Sequence, residues 1–226
     1  MLDSLFRTFD NIIVLDVETT GFDPRRDEII EIAALRLDKG RTIQSPDREL
    51  DVLIKLSADR RLPQAIIELT GINEVQLSIN GIEKSRACDL IVERLGCSNP
   101  LLVAYNAQFD LSFIYFFLDR FGKAGILDNV KFLDALTVYK DRKPYPHTLK
   151  NAVCAYAIKT QNTHRAIDDT KATFELLCAM DQELSDLQQY INLFGYNPKY
   201  GVTGQKFKSV RYLPQPYNIS KKLYEC

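Results

Sequence analysis

Tryptophan is absent from the 226 residues, and histidine occurs twice. Cysteine is sparse and scattered (Cys88, Cys97, Cys154, Cys178 and Cys226), with no C-x-x-C pair and no metal-like spacing. An odd, unpatterned set of five suits a reducing compartment and excludes a disulfide framework. Long hydrophobic runs are missing as well: nothing approaches a membrane span, and the start of the chain lacks the apolar stretch of a signal peptide, so a cytoplasmic protein without membrane partners is expected. Net charge is nearly absent, at −1, which argues against wholesale electrostatic binding to nucleic acid. There are no internal repeats and no low-complexity tracts. What remains is ordinary for a soluble globular enzyme: 46% hydrophobic and 26% charged residues, enough for a sizeable core. The length fits one large domain, or one domain with an appendage. The charge balance hides one asymmetry. From Gly195 onward there are six basic residues (Lys199, Lys206, Lys208, Arg211, Lys221 and Lys222) against Glu225 alone.

The chain is organised around residues 11–21, N-I-I-V-L-D-V-E-T-T-G. The apolar, β-branched run 12–15 reads as a strand buried on both faces. Side chains two apart on a strand point the same way, so Asp16 and Glu18 project together from its end. Paired carboxylates repel and resist desolvation, a conflict that a divalent cation would resolve.

Further along, residues 28–37 and 49–55 read as strands that complete an antiparallel meander. A short helix over 62–69 closes at Thr70-Gly71, and an amphipathic helix over 82–95 ends at Gly96. Residues 101–105 form another buried strand, with Asn106 as N-cap of a helix over 107–121. The phenylalanines of that helix (109, 113, 116, 117 and 121) recur at helical spacing and read as core. A last strand covers 131–133 and ends at Asp134, followed by helices over 149–157 and 166–187. Three strands followed by alternating helices and strands indicate an α/β fold, a mixed sheet with helices packed on it. Beyond Gly195 the composition turns to Gly, Pro, Lys and Tyr, as in an extension or small hairpin outside the core.

Three acidic stations line up on this framework. Asp16 and Glu18 end the first strand, Asp110 follows the strand at 101–105 by one helical turn, and Asp169 lies in the first turn of the last helix. Four carboxylates on one sheet rim call for cations, and all-oxygen ligation selects Mg²⁺ or Mn²⁺. His164 precedes Asp169 by five residues, which would place it about 140° away on the same helix. It fits better on the preceding loop, free to swing over the site and accept a proton near neutral pH.

D-V-E-T-T-G (16–21), Y-N-A-Q-F-D (105–110) and H-R-A-I-D-D (164–169) together resemble the three motifs of the DEDDh 3′–5′ exonucleases, the DnaQ-like members of the ribonuclease-H-like fold. The likeness spans roughly residues 8–185. It implies a mixed five-stranded sheet flanked by helices, with an exonuclease domain over 1–190 and a basic Tyr/Pro/Gly-rich extension over 191–226. It implies two Mg²⁺ or Mn²⁺ ions on Asp16, Glu18, Asp110 and Asp169, with His164 as general base. Where a tyrosine branch of the superfamily carries Tyr, this chain has Arg165, so the histidine branch fits. Tyr105 stands where many relatives have histidine, at a position that is not a ligand. The implied reaction is hydrolysis of the 3′-terminal phosphodiester of single-stranded DNA, in proofreading or repair, with RNA as the alternative substrate. Substrate contacts are expected from Val17, Thr19, Thr20 and Gly21, and from Asn106 and Phe109. The L-T-G-I at 69–72 resembles an element of epsilon and PolC-type proofreading exonucleases and adds Thr70, Gly71 and Ile72; a helix C-cap explains the same residues equally well. DNA polymerase or a sliding clamp is the protein partner to consider. Residues 189–194, Q-Y-I-N-L-F, resemble a clamp-binding peptide with the spacing off by one, and a helix end packed on the core is the alternative. The basic, tyrosine-rich tail could track phosphates and stack on bases, or pack its rings on the domain.

Overall fold

Strand β1 (Asn11–Thr19) alternates its side chains between two hydrophobic cores, and this alternation decides where its acids fall. Ile12 and Val14 point into one core, whereas Ile13, Leu15 and Val17 point into the other. Each fully buried aliphatic side chain of this kind contributes about 1.5–3 kcal/mol. Asp16 and Glu18 continue the parity of Ile12 and Val14, so the period of two carries them toward the first core.

The computed structural model describes residues 2–40, 49–160, 163–216 and 221–226. A short helix α1 (Asp3–Phe6) precedes β1; β2 (Ile29–Asp38), β3 (Glu49–Leu53), α2 (Gln64–Thr70), α3 (Glu74–Asn80) and α4 (Lys84–Leu95) follow. Then come β4 (Pro100–Ala104), α5 (Ala107–Asp119), β5 (Lys131–Asp134), α6 (Ala135–Lys140), α7 (Leu149–Ala155) and α8 (Ala166–Glu183), and the chain closes with β6 (Leu193–Tyr196) and β7 (Arg211–Pro214). The main sheet has the order β3-β2-β1-β4-β5. β1 pairs antiparallel with β2 and parallel with β4, and β4 pairs parallel with β5. Helices α6, α7 and α8 cover the first core, and α4 and α5 the second. Among the described residues, no helix is long and apolar enough to cross a membrane.

The expected strands and the mixed sheet are present, with differences at the helices. Asn73 and Gln76 form a reciprocal capping box that starts α3, a helix not anticipated. Asp134 ends β5 as expected, but its carboxylate also starts two helices. It accepts from the N–H groups of Leu136 and Thr137 at the head of α6, and from those of Asn106 and Ala107 at the head of α5. The Thr137 hydroxyl donates to it as well, at 2.6 Å. Asn106 therefore stands at the N-cap position of α5 without capping it through its side chain; its backbone is left-handed, at φ 67°. Helix α5 ends at Asp119, short of the expected 121; of the phenylalanines expected on it, Phe113 and Phe117 are core, Phe116 lies under the Arg25 guanidinium, and Phe121 is exposed beyond the helix. Helix α8 stops at Glu183, short of the expected 187, because the buried Arg142 draws the Met180 and Leu184 carbonyls and the Asp186 carboxylate onto its guanidinium.

The chain after α8 packs closely on the domain. β6 and β7 pair in parallel, not as a hairpin. Phe194, Phe207 and Val210 join the α5-side core, while Tyr190, Leu193 and Leu223 join the other. Of the two readings of residues 189–194, packing on the core is the one the structure shows. Tyr190 and Phe194, the aromatic side chains such a peptide would offer, are buried in the protein's own core.

Candidate active site

Where β4 gives way to α5, β1 loses its neighbour strand. Pairing with β4 ends at Val14, and the Val17 N–H beyond it donates instead to Oδ1 of Asp110, at 3.2 Å. A carboxylate from the first turn of α5 thus continues the strand's hydrogen bonding, close enough to Asp16 and Glu18 for its charge to act on both. On the other edge, the register shifts between Glu18 and Thr19, a bulge beside the acids. Asp169, buried in the first turn of α8, accepts from the Thr163 N–H at 3.2 Å. His164 lies on the loop just before that helix, exposed and in a left-handed backbone conformation with φ 58°. One donor atom each from Glu18, His164 and Asp169 lie within 4.8 Å of one another.

Sequence reading missed the residue that holds this loop. Glu31 lies directly across from Glu18 in the β1–β2 ladder and is fully buried. Opposed carboxylates destabilise a sheet unless one is neutralised. Here Arg165 donates to Glu31 Oε1 through Nε, at 2.9 Å, and through Nη2, while the Ala166 N–H donates to Oε2 at 2.8 Å. The residue after His164 and the first residue of α8 are therefore both fastened to β2. A lone acid inside the apolar run I-I-E-I-A-A was the available signal.

The electrostatics show what the cluster lacks. Burial, followed by the negative charges of Asp110, Asp169 and Glu18, pushes the Asp16 carboxyl well above the usual carboxylate range. Burial also dominates at Glu18, with Asp169, Glu31 and Asp110 adding to it and Arg165 opposing, and the pKa rises from 4.5 to about 8. Asp110 is likewise raised, chiefly by burial, against the stabilising N–H of Val17. Among the described residues, no Lys or Arg forms an ion pair with Asp16, Glu18 or Asp110. These three carboxylates, with Asp169 beside them, are a donor set suited to a hard divalent cation.

The remaining expected contact residues fall into two groups. Thr19 and Thr20 are buried in the turn after β1, where Thr19 Oγ1 donates to the Gly21 carbonyl and Thr20 Oγ1 accepts from the Glu28 N–H. At Gly21 a Cβ would lie 2.4 Å from the Asp27 carboxylate, so glycine there admits Asp27 rather than leaving open space. Phe109 meets the exposed ring of Phe22 edge-on, at 6.5 Å between centroids. The L-T-G-I element, residues 69–72, forms the second group. Gly71 is the left-handed C-cap of α2, Thr70 Oγ1 donates to the Ile66 carbonyl, and Ile72 is buried with Ile30, Leu62 and Leu77. Tyr105 donates its hydroxyl to the His147 carbonyl, and Asp168 accepts from the Thr163 hydroxyl.

A family model described as Exonuclease (RNase_T) matches residues 13–177, which contain all four acids and His164. The chain belongs to this exonuclease family. Its curated relatives include the DNA polymerase III PolC-type of Clostridium perfringens, 33% identical over 196 residues, covering 84% of this chain and 12% of that protein. The PolC-type enzyme of Thermotoga petrophila is 32% identical over 173 residues, covering 75% and 12%. The chain thus spans about one eighth of the length of these relatives. Among solved structures, the zinc-bound complex of E. coli ExoI with single-stranded DNA superposes with a TM-score of 0.72 at 19% identity, covering 80% of this chain and 42% of that one. At that identity the likeness establishes the fold, the ribonuclease-H-like mixed sheet that the three motifs implied. The family resemblance read from those motifs holds.

Two outcomes follow from this geometry. With the Glu18 pKa raised from 4.5 to about 8, this group's contribution to the stability of the metal-free protein is fully present below about pH 4.5 and is lost as pH rises through about 8. Thermal melts in chelator are expected to show Tm falling through that window, with Glu18→Gln flattening the fall and Mg²⁺ restoring Tm most at the alkaline end. A Tm that ignores both pH and Mg²⁺ would contradict the account. Second, Glu31→Gln is expected to lower exonuclease kcat about ten- to a hundred-fold with a smaller change in KM, and to speed hydrogen exchange across residues 163–166. An unaltered kcat would reduce the Arg165 ion pair to a purely structural contact.

Proposed function

We propose that the chain is a 3′–5′ exonuclease that hydrolyses the 3′-terminal phosphodiester of single-stranded DNA and releases nucleoside 5′-monophosphates, in proofreading or repair. The observation that carries this reading is the placement of His164 within 4.8 Å of Glu18 and Asp169, beside carboxylates whose pKa values burial and mutual repulsion raise. Asp16, Glu18, Asp110 and Asp169 would hold two Mg²⁺ or Mn²⁺ ions. When bound, such ions stabilise charge on the scissile phosphate and acidify the attacking water.

The chain's own groups supply the rest. His164 takes the proton of the attacking water, and its exposed loop lets it hand that proton to solvent. Arg165 and Glu31 keep the loop over the acids instead of letting it swing free. The Val17 N–H fixes one oxygen of Asp110, leaving the other for a ligand role. The turn at Thr19, Thr20 and Gly21 follows Glu18 directly, with Phe22 and Phe109 beyond it, and the terminal nucleotide would rest there. DNA is favoured as substrate by the names of the relatives, which are DNA polymerases, and by the single-stranded DNA held by ExoI. The match to one segment of PolC-type polymerases makes a DNA polymerase the protein partner we favour.

End-labelled DNA and RNA oligonucleotides of one sequence, digested in parallel with Mg²⁺, test the reading. DNA is expected to shorten stepwise from its 3′ end. His164→Ala should slow it about 10²–10⁴-fold, and Asp16→Ala should cost at least as much. Faster digestion of RNA would move the enzyme to RNA trimming, and full activity in Asp16→Ala would overturn the site.

A further inference from the structure

A cavity of about 350 Å³ opens between the head of α5 and the chain that follows α8. That size falls at the low end of small-ligand pockets, roughly 300–1,000 Å³. One wall comes from the exonuclease core, with Asn106 and Phe109 at the start of α5 and Lys140 at the end of α6. The opposite wall carries Tyr196, Tyr200 and Tyr212, all beyond residue 177, where the family match ends.

This wall is stapled in place. Gln108 Nε2 donates to the carbonyls of Thr203 and Gln205, each at 2.6 Å, and the Tyr212 hydroxyl donates to Gln108 Oε1 at 3.0 Å. The Gln205 N–H donates to Ser112 Oγ at 3.0 Å. Gly204 lies so close to α5 that a Cβ there would meet Ser112 Oγ at 2.2 Å. The loop is therefore fixed to the helix that carries Asp110.

The cavity has unused recognition groups of two kinds. Tyr200 stands at the rim, 67% exposed, with Lys199 Nζ 5.1 Å from the centre of its ring. A tyrosine ring left in solvent beside a cavity offers a stacking face. Lys140 is half-buried and, among the described residues, its amine has no hydrogen bond or ion pair. Burial pushes this amine below its ordinary pKa, and Asp134 opposes the shift. Asp134 itself is committed to five donors, so its negative charge is already shared. The Asn106 amide is exposed and does not cap its helix. Aromatic faces, one amine and one amide match the base, phosphate and base edge of a nucleotide. The cavity also adjoins the acids: Asn106 precedes Asp110 by one helical turn, and Phe109 touches the Phe22 that follows the Thr19–Gly21 turn.

We propose that this cavity is a nucleotide subsite that grips the substrate strand away from the scissile end, stacking a base on Tyr200 and pairing a backbone phosphate with Lys140. The proposal rests on the nuclease reading above and adds to it a role for the chain beyond the family domain.

Because the chain has no tryptophan, Tyr200→Trp installs a single reporter at the rim. In a His164→Ala background, which keeps the strand from being consumed, a short oligothymidylate is expected to quench that reporter saturably, and thymidine 5′-monophosphate far less. Adding Lys140→Ala, or Lys140→Met if the alanine variant folds poorly, is expected to weaken binding several-fold and to flatten the slope of log K against log salt by about 0.7. If the parent enzyme digests DNA but the oligonucleotide leaves the reporter unquenched, or the Lys140 variants bind with an unaltered salt slope, the subsite is refuted and the nuclease reading stands. If the parent digests no polynucleotide, the nuclease reading fails and the subsite fails with it.

Discussion

Like charge packed at the end of β1 is the constraint on which the rest of the structure depends. Carboxylates held together in a partly dry space repel far more strongly than in water, and a strand with period two places Asp16 and Glu18 on one face without choice. Asp110 and Asp169 then arrive from the first turns of two helices, and burial with mutual repulsion raises the pKa of Asp16, Glu18 and Asp110. A chain selected for stability alone would dilute such a cluster or thread a lysine into it. Here the available cation, Arg165, is drawn instead to Glu31, one strand over.

The surroundings of the cluster are built from further carboxylates that are fully occupied. Glu31 neutralises Arg165 and holds the first N–H of α8. Asp134 holds the first turns of α5 and α6. Asp27 fills the space that Gly21 leaves and bonds the Asp23 N–H, closing the turn after β1. Acids committed to hydrogen bonds and ion pairs thus position the strand end, the helix starts and the turn around the cluster. The last segment of the chain belongs to the same frame, since Gln108 and Ser112 of α5 fasten its loop and Gln215 donates to the Thr137 carbonyl of α6 and to Asp141 just after it.

Much of this was legible in the sequence. Residues 12–15 announced a central strand, the spacing of Asp16 and Glu18 fixed their shared face, and three short motifs identified the family. What escaped was set by contacts distant in sequence. Glu31 looked like one polar residue in an apolar strand, and its partner Arg165 lies 134 positions away. Asn106 has the composition of an N-cap, yet Asp134 from the neighbouring strand supplies the cap. Residues 189–194 carry the alternation of a docking peptide because Tyr190 and Leu193 face one core and Phe194 the other. The composition beyond Gly195 suggested a loose appendage, and only the placement of Phe207 and Val210 against the α5-side core shows that it packs. Local patterning carried the strands and the acids, whereas side chains that close long loops were silent.

The central claim is that the cluster is poised to exchange protons for divalent cations. The direct measurement is calorimetric titration of Mn²⁺ into the metal-free protein at neutral pH, repeated in buffers of different ionisation enthalpy. With the Glu18 pKa near 8 and Asp16 raised as well, binding is expected to release about one proton or more per protein and to be lost in Asp16→Ala. Mn²⁺ binding with no proton release, or binding that survives Asp16→Ala, would contradict it.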